Sequence, residues 1–210
     1  MSRYLENICF FVLLIFCLQN ITKASKGLSY TITKFWDNTD VPHRHQINLH
    51  LNYVKNHMNG SNDLEIRIKA PFYDDPKPPS NATVGSMDQL WNYEVVEVFL
   101  LGEDNHYLEI ELGPKGHYLL LQLHGYRNVS KEGLILNHYS HHIEHNQWHG
   151  VAVIPSDYLP NKLIKFNAYA IHGSGTHRQY LSLFPTPFGK YKEPDFHRLE
   201  YFGDFQLNSD

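Results

Sequence analysis

Three tryptophans, Trp36, Trp91 and Trp148, can present a flat apolar face to a sugar ring. That chemistry also needs carboxylates or amides beside the ring to hold the sugar hydroxyls. Trp91 has Asn92 and Glu94 next to it and Glu97 shortly after, so it reads equally as platform or as core. Trp148 opens an apolar run and is expected inside. Glu97 alternates with Val95 and Phe99, which predicts a partly buried carboxylate. Such a group needs a partner, and Arg127, Arg178 and Arg198 can supply one. An ion pair that fixes the sheet is therefore preferred over ligand contact at Glu97. Glu109 and Glu111 share a face, but residues i and i+2 of a strand stand roughly 7 Å apart. A retaining glycosidase wants its carboxyls at about 5 Å. Beside Tyr107 the two glutamates read as a solvated face, and no catalytic residue is assigned.

His138, His141, His142, His145 and His149 crowd one stretch and invite a metal reading. No carboxylate follows a zincin-type spacing, so the stretch is taken as a wet, histidine-rich strand and no metal site is expected. Haem ligation needs His or Met facing a closed apolar pocket. Met58 and Met87 fall in loops, and no cofactor is expected. Gly-x-Ser-x-Gly, P-loop, dinucleotide and kinase patterns are absent.

The elements that would position these residues are strands. Leu90 to Leu123 reads as an antiparallel meander. A β-branched and aromatic run from Tyr93 to Leu101 leads to a turn at Gly102–Asn105. His106 to Leu112 alternates, with Leu108, Ile110 and Leu112 on one face and Tyr107, Glu109 and Glu111 on the other. Gly113-Pro114-Lys115-Gly116 turns the chain into His117 to Leu123. Similar patterns mark strands at Gly27 to Trp36, His45 to Tyr53, Asp63 to Ala70, Ile135 to Glu144, Trp148 to Ile154, Leu163 to His172, Arg178 to Phe184 and Phe196 to Leu207. Pro71 to Met87, with four prolines, is a long loop. No helix of useful length is predicted. About ten strands separated by turns predict an all-β, antiparallel β-sandwich.

Ile8 to Leu18 is an apolar stretch shorter than the ~20 residues a membrane helix needs. Arg3 precedes it, and Thr22-Lys23-Ala24 offers small residues for cleavage. Residues 1–24 are expected to be a secretory signal peptide, with an uncleaved anchor as the alternative, and 25–210 a single sandwich domain. The expected localisation is secreted, without stable membrane insertion after cleavage. Both cysteines, Cys9 and Cys17, fall in the leader. The mature chain would have no disulfide and no thiol chemistry. Sequons at Asn59, Asn81 and Asn128 are expected glycosylation sites. A net charge of -4 gives no basic face for nucleic acid.

Several segments resemble an uncharacterised eukaryotic family of the UPF type, which has no assigned activity. They are Ala70-Pro71-Phe72 with Asp75-Pro76, Leu90 to Glu97, Tyr107 to Leu112, Arg127-Asn128-Val129, Lys165 to Gly173 and Pro194 to Phe202. They run in order over nearly the whole chain after the leader. The signal peptide departs from the family pattern. The order of Trp91, Val96-Glu97-Val98-Phe99, the Tyr107-x-Glu109 strand and Pro114-x-Gly116 also looks like family 9 carbohydrate-binding modules and the wider DOMON-like group. That likeness implies a jelly-roll type sandwich and a non-catalytic carbohydrate-binding domain with a glycan as partner. Trp91 would stack on the sugar, with Glu97, Arg127, Asn167, His172 and His197 holding it near one rim. The alternatives are an enzyme acting on glycans, or a protein-interaction domain without a small-molecule site.

Overall fold

A computed structural model describes residues 27–207; the leader expected at 1–24 lies outside the described residues. The strands are β1 (Leu28–Ile32), β2 (Lys34–Phe35), β3 (Ile47–Lys55), β4 (Asn62–Pro71), β5 (Gly85–Ser86), β6 (Val95–Gly102), β7 (His106–Leu112), β8 (His117–His124), β9 (Val129–Lys131), β10 (His138–Glu144), β11 (Gln147–Ile154), β12 (Leu163–His172), β13 (Gln179–Ser182) and β14 (Gly203–Asp204). They form two sheets. One has five strands in the order β1-β3-β4-β11-β10. The other has nine: its path is β2-β13-β12-β6-β7-β8-β5, with β14 beside β12 and β9 beside β8. Every pairing is antiparallel except the short β5–β8 contact. The chain is an all-β sandwich, as the alternation predicts.

The sheets meet over one apolar core. Ile47, Leu49, Leu51, Leu64, Ile66 and Ile68 face Val96, Val98, Leu100, Leu108, Ile110 and Leu112 across it. Trp148 is buried here, so it is core and no platform. The stretch expected as one strand from Gly27 to Trp36 divides at Thr33. Its first half pairs β3 in the small sheet and its second half pairs β13 in the large one.

The larger departure is at the C-terminus. Phe196 to Leu207 is not a sheet-closing strand, since only Gly203–Asp204 pairs, with β12. The preceding segment crosses the outer face of the nine-stranded sheet as loop and a single 3₁₀ turn, Leu199–Tyr201. Phe196 and Phe202 bury themselves on that face against Phe99, Leu101, Tyr107 and Tyr169. The large sheet therefore has apolar packing on both faces. β6 has no exposed position along its length, and it reads as a continuous hydrophobic run for that reason.

Candidate functional site

The second core contains three carboxyls. Alternation along β6 and β7 sends Glu97, Glu109 and Glu111 to the outer face. The register sets Glu97 opposite Glu111 and Phe99 opposite Glu109. The three are 2%, 4% and 0% exposed. The solvated face expected for Glu109 and Glu111 is thus wrong. Their alternation is as predicted, but the C-terminal segment covers them. Among the described residues nothing ion-pairs with Glu97 either. Its Oε1, Oε2 of Glu109 and both oxygens of Glu111 are buried, and among the described residues they have no hydrogen-bond partner outside the carboxyl cluster itself. The arginines expected for Glu97 are engaged elsewhere. Arg127 pairs with Asp195 at 2.9 Å. Arg178 donates to the carbonyls of Trp91 at 2.6 Å and Asn92 at 3.1 Å. Arg198 lies over the Tyr191 ring.

Like charges directly opposite one another on a sheet repel, and burial disfavours each of them. The cluster resolves this by keeping protons. Burial and the neighbouring Glu109 charge push Glu97 well above the usual carboxylate range. Burial, Glu97 and Glu109 do the same to Glu111. Burial raises Glu109 to about 7, opposed by a hydrogen bond with Glu111 and by the Arg127 charge. At neutral pH Glu109 is poised between donor and acceptor.

Glu97 and Glu109 open into a cleft of about 300 Å³, also lined by Trp91, Arg127, Tyr180, Asp195, Phe196 and His197. Trp91 is 37% exposed and stands on a 3₁₀ turn, Leu90–Asn92, that Arg178 pins by its two carbonyls. Phe196 stacks on Tyr169 with ring centroids 4.0 Å apart. The Tyr107 hydroxyl is 2.7 Å from Nδ1 of His197 and accepts the Arg127 backbone N–H at 3.3 Å. Donating its own proton to Nδ1 satisfies both contacts, which leaves the Nε2–H of His197 directed at Oε2 of Glu109, 3.9 Å away. Burial and the Arg127 charge lower His197 to about 4, so it is neutral here at pH 7. Tyr126 and Arg127 both donate to Asp195, which fixes the rim opposite Trp91.

Of the six residues expected to hold a ligand, Trp91, Glu97, Arg127 and His197 meet in this cleft. Two do not. Asn167 is fully buried and satisfied: its amide donates to the Tyr169 hydroxyl and the Phe184 carbonyl, and its oxygen accepts from the N–H groups of Ala168 and Phe184. Asn167→Ala should cost roughly 2 kcal/mol, because it strands those groups, and leave ligand affinity unchanged; urea denaturation and calorimetric titration check the two parts. His172 stacks on Tyr73 at 3.9 Å, beside Glu94 at the end of the sandwich. Burial and the nearby His45 lower it to about 4. Glu109, Asp195, Tyr180 and Phe196 also line the cleft and are not among the residues expected in it. The sequence signal for Glu109 was its place beside Phe99 in the meander; Asp195 and Phe196 lay in a segment that alternation misassigns. The sequon residues Asn59, Asn81 and Asn128 are exposed, and Asn128 adjoins the cleft residue Arg127.

No protein-family model matches the chain. It is 41% identical over 187 residues to the zebrafish (Danio rerio) UPF0462 protein C4orf33 homolog, covering 87% of this chain and 90% of that one. The chain belongs to the UPF0462 family. The human member, UPF0462 protein C4orf33, is 38% identical over 186 residues, 87% of this chain and 89% of its own. Among solved structures, a putative carbohydrate-binding protein from Bacteroides uniformis superposes with a TM-score of 0.58 at 16% identity, covering 86% of this chain and 87% of the other. At that identity the likeness is one of fold. Among the described residues of this UPF0462 protein, no helix is long and apolar enough to cross a membrane.

Proposed function

We propose that this UPF0462 protein binds a small carbohydrate in the cleft between Trp91 and the Arg127–Asp195 pair. The observation that carries the reading is an aromatic-walled cleft lined by Glu97 and Glu109, each of which keeps a buried carboxyl oxygen that no described residue outside the carboxyl cluster partners. A buried polar group without a partner is costly, and a ligand that supplies one recovers that cost. Hydroxyl groups suit the site because each can both donate and accept, matching carboxyls that carry a proton and one that is poised to lose it. The Trp91 indole offers an apolar face to a sugar ring, the buried Phe196 ring backs the cleft wall, and Arg127 and Asp195 offer a donor and an acceptor at the rim. The fold shared with a protein named for carbohydrate binding supports the same reading. The protein is further proposed to be secreted and glycosylated, on the strength of the leader and the exposed sequons.

A second reading rests on Glu109. A carboxyl raised to about 7 beside a neutral imidazole is suited to moving a proton at pH 7. The cleft would then turn over a bound glycan, with Glu109 as general acid or base.

A glycan array probed with the wild-type protein and with Trp91→Ala separates these outcomes. Binding of a defined set of saccharides, lost in the variant while its melting temperature stays within a few degrees, is the expected result. No retention on a broad array by folded wild-type protein would contradict carbohydrate binding. Hydrolysis of an arrayed saccharide, absent in Glu109→Gln, would favour the second reading.

A further inference from the structure

A different cluster lies on the outer face of the five-stranded sheet, on the β10–β11 hairpin. The turn is two residues long, His145-Asn146, and both have positive φ, 48° and 59°. That is the turn geometry whose twist matches a tight hairpin, and it fixes the register behind it. Glu144 pairs with Gln147, and His142 sits directly opposite His149. Glu144 is two residues from His142 and so on the same face. The cross-strand pairing thereby brings His149 to the His142–Glu144 pair, an approach that linear spacing along the chain does not reveal.

We propose that His142, His149 and Glu144 form a binding site for a divalent transition-metal ion of the zinc or copper class. The Nε2 atoms of the two histidines lie 3.8 and 3.7 Å from the same carboxylate oxygen, Oε1 of Glu144. One donor atom from each residue falls within 4.8 Å of the other two. Tetrahedral ligands at zinc bond lengths stand roughly 3.3 Å apart, so closing the site takes small side-chain rotations. The two imidazoles stack with centroids 4.5 Å apart and planes 2° from parallel. They must splay to aim both lone pairs at one ion, and the exposure of His142 and Glu144 gives room for it.

Two nitrogens and one carboxylate oxygen select zinc, copper or nickel over calcium or magnesium, which prefer all-oxygen shells. Three protein ligands leave a position open to water. His145 flanks the set, its Nδ1 4.0 Å from the other Glu144 oxygen. One feature opposes a cation: Lys69 of β4 is the register neighbour of His149. Its charge keeps the expected affinity in the micromolar range, well short of a closed structural zinc site.

The test is calorimetric titration of Zn²⁺ into untagged, chelator-stripped protein at pH 7.5. One equivalent should bind with a micromolar Kd, and Mg²⁺ at the same concentration should not compete. His142→Ala and Glu144→Gln change exposed side chains and should leave the fold intact, which circular dichroism verifies. Each should weaken zinc at least about tenfold. Absence of binding at 100 μM zinc overturns the proposal, and so does zinc affinity within twofold of wild type in either variant.

Discussion

Glu111→Gln should make the protein more stable than wild type at pH 8, and by much less at pH 5. Glu97, Glu109 and Glu111 all have folded-state pKa values above the ordinary carboxylate value. As pH rises past about 4.5 the unfolded chain releases these protons while the folded chain keeps them. The unfolded state then binds fewer protons, so stability falls with pH until the folded groups ionise. A carboxyl that holds its proton one pH unit longer in the folded chain costs about 1.4 kcal/mol once ionised, so Glu109 alone, raised to about 7, contributes a loss of roughly 3 kcal/mol. Buried histidines oppose this, His172 and His197 with the largest shifts. Both are lowered to about 4, so stability gained from them rises between pH 4 and about 6.5 and is then complete. The two effects offset each other below pH 6.5, and above it only the carboxyls remain, the cluster together with Glu94, which burial raises to about 7. Wild-type stability should therefore decline from pH 6.5 to 8.5. Glu111→Gln keeps the shape of the protonated carboxyl and removes one ionisation, so its advantage over wild type should grow as pH rises to 8. Urea denaturation of both proteins at the two pH values measures it. A variant less stable than wild type at both would mean that the Glu111 carboxylate has a stabilising partner.

Phe196→Ala should be the most damaging change in the roof of the cleft. The ring is buried, stacked on Tyr169 and edge-on to Tyr180. Truncating a buried phenylalanine typically costs about 3 kcal/mol or more. It also admits water to the carboxyl row, which brings the glutamates back toward ordinary carboxylate behaviour. The variant should thus be less stable at pH 5, bind no glycan, and show a flatter pH dependence above 6.5 than wild type. Phe196→Leu restores much of the volume and should recover most of the stability. Denaturation curves across pH 5 to 8.5 read both effects. An unchanged slope above pH 6.5 in a folded Phe196→Ala protein would place the titrating groups outside the cleft.

The residues behind these two effects were unequally legible in the sequence. The meander of β6, β7 and β8 is written in its alternation and turn residues, and the faces of Glu97, Glu109 and Glu111 follow from it directly. Their burial does not. Periodicity tells which face a residue occupies, and nothing about what covers that face. The cover comes from Phe196 to Phe202, whose aromatic spacing imitates a strand while its backbone is loop and 3₁₀ turn. Asn167 and His172 sit in a well-patterned strand, β12, yet lie outside the cleft, because a shared strand does not imply a shared face or end. The hairpin cluster was half legible. Its histidines were conspicuous, but the approach of Glu144 to His149 depends on the two-residue turn at His145-Asn146 and the register it fixes.

Carbohydrate binding in the cleft is tested most directly by ¹H–¹⁵N NMR spectra of the protein titrated with a panel of mono- and disaccharides. The prediction is that at least one saccharide shifts resonances concentrated at the Trp91 indole N–H, the Arg127 side chain and the amides of Asp195 to His197, and leaves β10 and β11 unmoved. A panel in which no sugar shifts these groups, or in which every shift maps to another surface, would contradict it.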